Sequence, residues 1–290
     1  MEKVINIGKY IEDAVNWLTD NFAGFFDFIK NSGNGLIEGF EWLLLGTPFY
    51  VVIVLFGILA YFKVGRGPAI FTVVGLTLIY LLGFWVETME TLALIFVSTL
   101  IALVIAIPLG IWAAKKENVN KVVRPKLDFM QTMPAYVYLI PAVLFFSIGK
   151  LPGAFATVIF AMPPAVRLTT LGIQQTPEDV VEAARAFGAT NRQILFKVEL
   201  PLATKTIFAG VNQTIMMALS MVVIAGMIAA GGLGEKVLEG INNLDIGLGF
   251  ESGFAVVILA IILDRITQAF SIKGNNERID KVKSMFSNNK

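Results

Sequence analysis

Histidine and cysteine are both absent from the 290 residues. Imidazole acid–base catalysis, thiol nucleophiles, disulfides and Cys/His metal sites are therefore excluded together. No Gly-x-x-x-x-Gly-Lys-Ser/Thr run occurs, and the glycines at 65 and 67 lead into Pro68 instead of a P-loop. Two kinds of residue remain that could do chemistry. The first are polar side chains set inside apolar runs: Gln131, Thr132, Asn212, Gln213, Thr214 and Ser220. Such groups are costly in lipid, so they are expected to face a watery path or to hydrogen-bond between helices. The second is one soluble-looking stretch between two apolar segments, EAARAFGATNRQILFKVELP, from Glu182 to Pro201.

The elements that position these residues follow from composition. Apolar residues make up 56% of the chain and charged residues 16%, with a mean hydropathy of +0.73. Soluble domains carry roughly 45–50% and 25%, so this is an all-α polytopic membrane protein. A net charge of +1 gives no case for nucleic acid as a partner. Seven stretches approach the ~20 apolar residues a bilayer core requires, at 42–62, 68–86, 89–114, 128–149, 151–171, 206–230 and 252–270. The stretch at 128–149 holds Pro134 and Pro141 and is the least regular. Lys and Arg concentrate at 63–67, 115–127, 172–205 and the C-terminal end, which places these regions in the cytoplasm and the N-terminus outside.

Ahead of the first span, Val4, Ile7, Ile11, Val15, Leu18, Phe22, Phe25 and Ile29 recur in steps of three and four and predict one amphipathic helix. It either packs on the protein's own outer face or lies in the membrane interface. No basic n-region followed by a short apolar run marks a cleaved signal peptide. The expected organisation is an extracytoplasmic amphipathic tail at 1–41, peripheral spans at 42–86, a core at 87–271 and a cytoplasmic polar tail at 272–290.

The stretch from Glu182 falls in the longest cytoplasmic connection, 172–205. Thr176-Pro177-Glu178-Asp179 predicts a capped helix start. Gly188 closes that helix. Asn191 to Glu199 forms a second one, and Leu200-Pro201 stops it and turns the chain back to the membrane. The product is a small knob whose Ala183, Ala184 and Ala186 allow it to enter a groove on another protein.

Glu182-Ala183-Ala184, Gly188 four residues beyond Ala184, and Val198-x-Leu200-Pro201 together resemble the EAA signature of ABC importer permeases, departing only in Val198, where isoleucine is commonest. The phrases QTMPA, FAMPPAVR and ALSMVVIA, within a match from Leu92 to Gln268, narrow the resemblance to permeases of the glycine betaine and proline betaine importers of the OpuA and ProU type. This implies a type I importer permease fold with the knob as coupling helix. Glu182, Ala183, Ala184, Gly188, Val198, Leu200 and Pro201 would couple it to two cytoplasmic ABC ATPase subunits, which bind the ATP and Mg. It further implies a second copy of the chain, a separate extracytoplasmic binding protein and no cofactor on this chain. Choline, carnitine or another quaternary amine is the alternative cargo, and a stand-alone secondary transporter or channel the alternative class.

A translocation path is expected along Gln131, Met133, Tyr136, Asn212, Gln213, Met216, Met217 and Ser220. Tyr138 and Met221 join it as further aromatic or polarisable surface for a trimethylammonium group. Core packing is the competing role for each methionine and tyrosine, and interhelical hydrogen bonding for the polar residues. Asp264 and Arg265 are expected to pair and anchor the last span. Gly226, Ala230 and Gly231-Gly232-x-Gly234 are expected to give close helix approach and then a flexible exit.

Overall fold

The computed structural model describes residues 7–287, with side chains described over 9–270 apart from residue 11. Val4 of the N-terminal stripe and the side chains of the polar tail lie outside the described residues. Among the described residues there is no strand.

The stripe forms two helices, not one: α1 Ile7–Asn21 and α2 Ala23–Gly46, parted at Phe22. Leu18, Phe22 and Phe25 are exposed, whereas α2 turns Phe26, Gly33, Ile37 and Glu41 inward. Val15 and Ile29 of the same stripe are half-buried, and α2 packs on α5 and α8. α3 Phe49–Lys63 follows after a 98° bend at Thr47-Pro48. It forms a hairpin with α4 Arg66–Leu81 through Gly65, whose φ of 133° suits glycine.

α5 Trp85–Lys115 runs unbroken past Pro108. α6 Glu117–Thr132 ends at Met133-Pro134, a 3-10 turn covers Ala135–Tyr138, and α7 Leu139–Phe146 leaves at 110° to α6. The stretch 128–149 is therefore not one straight span. Met133 is driven to extended backbone (ψ 136°) by the proline after it, and the helix cannot continue. α8 Lys150–Gln174 carries Pro163 and Pro164 without breaking.

α9 Glu178–Ala186 and α10 Asn191–Ile194 form the knob, and a π turn at Leu195–Glu199 leads into α11 Leu200–Ala225. After a 3-10 turn at Gly226–Ile228 come α12 Gly232–Asn242 and α13 Ile246–Ser287. Among the described residues, four helices are long and apolar enough to cross a membrane: Trp85–Lys115, Lys150–Gln174, Asn191–Ile228 and Ile246–Phe270. The number rises to six if each of the two bent pairs makes one span, while α4 is shorter.

α8 lies at the centre between α5 and α11. Small residues allow this contact. A Cβ on Gly110 would stand 2.7 Å from the Cβ of Thr169, and one on Gly210 3.0 Å from that of Leu168. The bundle thus has a knob end, with α9, Lys115 and Gln174, and an opposite end, with α12 and the start of α8.

Candidate coupling and translocation site

α9 closes with a complete backbone cap. The Gly188 N–H donates to the Arg185 carbonyl (2.9 Å) and the Ala189 N–H to that of Ala184 (3.0 Å). Gly188 supplies the left-handed backbone this cap requires, at φ 78°. A Cβ there would meet nothing within 4 Å, so the bend needs glycine for its backbone, not for space. Phe187 at the tip is 92% exposed, and Glu182, Ala183 and Arg185 share the open surface. α10 starts with a reciprocal cap: the Gln193 N–H donates to Thr190 Oγ1 (3.3 Å) and the Thr190 N–H to Gln193 Oε1 (2.8 Å).

Two local expectations are corrected. Thr176 does not cap α9; its hydroxyl is buried without a hydrogen-bond partner among the described residues, and Pro177 occupies the cap position. Leu200-Pro201 does not stop the helix either. The Leu200 N–H bonds back to the Leu195 carbonyl, five residues earlier. This wider turn absorbs the missing proline N–H and the bulk of its ring. Residues 191–228 consequently form one 38-residue helix, about 57 Å long at 1.5 Å per residue. Val198 and Leu200, both half-buried, sit where the knob joins this rod. There Lys115 of α5 pairs with the buried Glu199.

Farther along the rod, Leu202, Ala209, Gln213 and Ser220 are exposed at spacings of four and seven, which puts them on one open face of α11, and Met227 in the following turn is exposed too. Met216 is half-buried, and the Ser220 hydroxyl donates to its carbonyl (3.1 Å). Tyr136, in the turn after Pro134, is exposed, and this turn touches α11, so the break in the α6–α7 pair lies beside the open face. Met133 and Met217 are half-buried and pack on the core, and Gln131 is half-buried. Tyr138 and Met221 are core residues: the tyrosine hydroxyl donates to the Met130 carbonyl and Met221 is fully buried.

Asn212 points toward α13. Its Nδ2 donates to Asp264 (3.3 Å), and its Oδ1 accepts from the Thr267 hydroxyl. Asp264 also accepts from Gln268 Nε2 (2.7 Å). The expected Asp264–Arg265 pair is replaced by this amide network because successive helical residues diverge by about 100°; Arg265 is exposed.

The opposite end holds a cluster absent from the sequence reading. Lys150 Nζ lies 2.7 and 2.8 Å from the two Glu41 oxygens and 3.0 Å from Glu90 Oε1. The second Glu90 oxygen accepts the Gly232 N–H (3.0 Å), and Thr91 Oγ1 accepts that of Leu233 (2.9 Å). Gly231 and Gly232 have φ of 79° and 73°, and α12 crosses α11 so closely that a Cβ on Gly234 would lie 2.3 Å from the Val223 carbonyl oxygen. The expected flexible exit is an ordered, fastened turn. On α12 a hydrogen bond to Glu239 holds the Lys236 pKa above its usual value.

Comparison with known proteins matches residues 106–271, more than half of the chain, to the family described as binding-protein-dependent transport system inner membrane component. The glycine betaine transport system permease protein OpuAB of Bacillus subtilis is 51% identical over 269 residues, covering 93% of this chain and 95% of that protein. The glycine betaine/proline betaine permease ProW of Escherichia coli is 50% identical over 266 residues, 92% of this chain and 75% of that one. An inward-facing structure of the MetNI methionine ABC transporter matches with a TM-score of 0.57 at 25% identity, over 62% of this chain and 92% of its own.

Proposed function

Because the chain belongs to the binding-protein-dependent transport system inner membrane component family, we propose that it is the multi-pass membrane subunit of an ATP-driven importer of glycine betaine. The observation that carries the substrate is the near-half identity to glycine betaine permeases over almost the whole chain. Choline or carnitine as the main cargo is not favoured by these relatives, and a stand-alone transporter does not fit the family.

In this reading two copies form the pore, two ATPase subunits holding ATP and Mg dock at the knob end, and a separate binding protein delivers substrate at the α12 end. The knob end is then cytoplasmic and the N-terminus outside, as the distribution of Lys and Arg supports. Glu182, Ala183, Ala184 and Gly188 enter the ATPase cleft. The unbroken 191–228 helix supports direct transmission: displacement of α10 tilts a rod that also carries Gln213, Met216 and Ser220. Tyr136 and the open face of α11 line the path and meet the second copy.

The test is uptake of labelled glycine betaine by cells lacking their own osmolyte importers, supplied with this chain, its ATPase and its binding protein. Uptake at high salt is expected, and Gly188→Trp should abolish it while the complex still assembles. Uptake without the ATPase would refute the reading; uptake of choline or carnitine in place of betaine would change its substrate.

A further inference from the structure

One cavity concentrates charge outside the path described above. It has a volume of about 290 Å³ and opens at the knob end between α6 and α8, where its lining includes Asn120, Arg124, Asp128, Arg167, Leu171 and Gln174. Its size lies at the lower edge of the roughly 300–1,000 Å³ range of small-molecule sites.

The charges are arranged unevenly. Arg167 of α8 pairs with Asp128 of α6. Arg124, one turn before Asp128, is exposed and makes no ion pair or hydrogen bond among the described residues. Positive and negative groups at i and i+4 therefore stand side by side, with Cβ atoms roughly 5–6 Å apart. α6 carries Glu117, Lys121, Arg124, Lys126 and Asp128 within one helix of a membrane bundle. Charges of this density are not stable against lipid, so this face looks onto water or protein.

The charge pattern selects by exclusion as well as attraction. A free guanidinium offers paired donors to a carboxylate and repels a simple cation. Asp128, although paired with Arg167, still presents a negative oxygen that attracts a quaternary ammonium group by charge alone and disfavours phosphate. Leu171 supplies an apolar wall for methyl groups. The ligand that satisfies all three is a small zwitterion whose carboxylate and quaternary nitrogen lie close together.

We propose that the Arg124–Asp128–Arg167 cavity at the knob end is a binding site for the transported zwitterion, with Arg124 holding the carboxylate and Asp128 facing the trimethylammonium group. The proposal rests on the importer reading above, and adds to it a substrate site at the knob end, between α6 and α8.

The test uses the purified permease–ATPase complex in phosphatidylethanolamine nanodiscs without the binding protein, and follows line-broadening of the glycine betaine methyl signal by NMR. Saturable broadening is expected, reversed by proline betaine but not by equal concentrations of tetramethylammonium or inorganic phosphate. Arg124→Gln should weaken it about tenfold, the loss of one charge-assisted contact. Arg124→Lys should restore part of the loss, with unchanged melting temperature in both variants. No broadening, broadening indifferent to Arg124→Gln, or equal competition by phosphate overturns the site. Loss of the broadening on adding phosphatidylglycerol assigns the cavity to a lipid headgroup and also overturns it. The uptake assay judges the parent reading separately. A complex that takes up no betaine removes both ideas, whereas one that transports but gives broadening indifferent to Arg124→Gln removes only this one.

Discussion

Replacing Lys150 by methionine gives the sharpest test of the packing. Lys150 sits between Glu41 of α2 and Glu90 of α5, and the three side chains are 31%, 12% and 22% exposed. Removing one partner of a buried ion pair costs about 3–5 kcal/mol, because the remaining charge is stranded. A lysine about one-third open to solvent is partly screened, which lowers the expectation to about 2 kcal/mol. For a chain of this size that is a fall of about 4–8 °C in melting temperature. Glu41→Gln, which leaves Glu90 to neutralise the ammonium, should cost about 1 kcal/mol.

The double variant carries the decisive information. Once Lys150 is gone, the Glu41 carboxylate is an uncompensated charge, so adding Glu41→Gln should relieve strain and recover about 1 kcal/mol relative to the sum of the single effects. Unfolding of the detergent-solubilised complex can be followed by intrinsic fluorescence, since Trp42 and Trp85 flank the cluster in sequence. A shift below about 1 °C for Lys150→Met, or strictly additive losses in the double variant, would refute the claim that this cluster fastens α2 and the Gly231–Gly232 turn to the core.

Three further outcomes are expected. Gly234→Ala should cost about 1–3 kcal/mol by forcing α12 off the α11 backbone, seen as loss of monodisperse complex in size-exclusion chromatography; Gly253→Ala, with nothing within 4 Å of the new Cβ, should behave as the parent. Thr190→Ala should weaken the start of α10 by about 1 kcal/mol, read as faster hydrogen exchange at the Gln193 amide, with Thr190→Ser close to the parent. Phe187→Ser should leave the melting temperature unchanged because the ring is 92% exposed, yet weaken capture of the ATPase subunit in a pull-down; undiminished capture would remove this ring from the docking surface.

What the sequence disclosed was local, and what it concealed was either backbone accommodation or contact at long range. Hydropathy located the helices that make up the core, and the spacing from Ala184 to Gly188 located the bend, because both signals sit within one or two turns. Pro134 and Pro201 look alike in sequence as helix breakers but act oppositely. The extended Met133 lets the chain bend by 110°, whereas the π turn before Pro201 keeps the helix continuous. Just before the second proline, Glu199 is buried and paired with Lys115 of α5, a contact that sequence spacing does not disclose.

Asn212 illustrates the other limit. A polar residue in an apolar helix signals either a path or an interhelical contact, and only the arrival of Asp264 and Thr267, more than fifty positions later, shows which contacts it makes. The Lys150 cluster is the extreme case, since its carboxylates lie 109 and 60 positions away. Its place also has a mechanical consequence. One end of the 191–228 rod carries the exposed knob and is tied to α5 through Lys115 and Glu199, while the other end meets α12, whose first turn is held by Glu90 and Thr91. In the importer proposed above, a rod driven at the knob and held at α12 would pivot rather than slide, with the larger displacement at the knob end and the smaller beside Gly226 and Gly234. Tilting this rod in that importer would swing the face that carries Gln213, Met216 and Ser220.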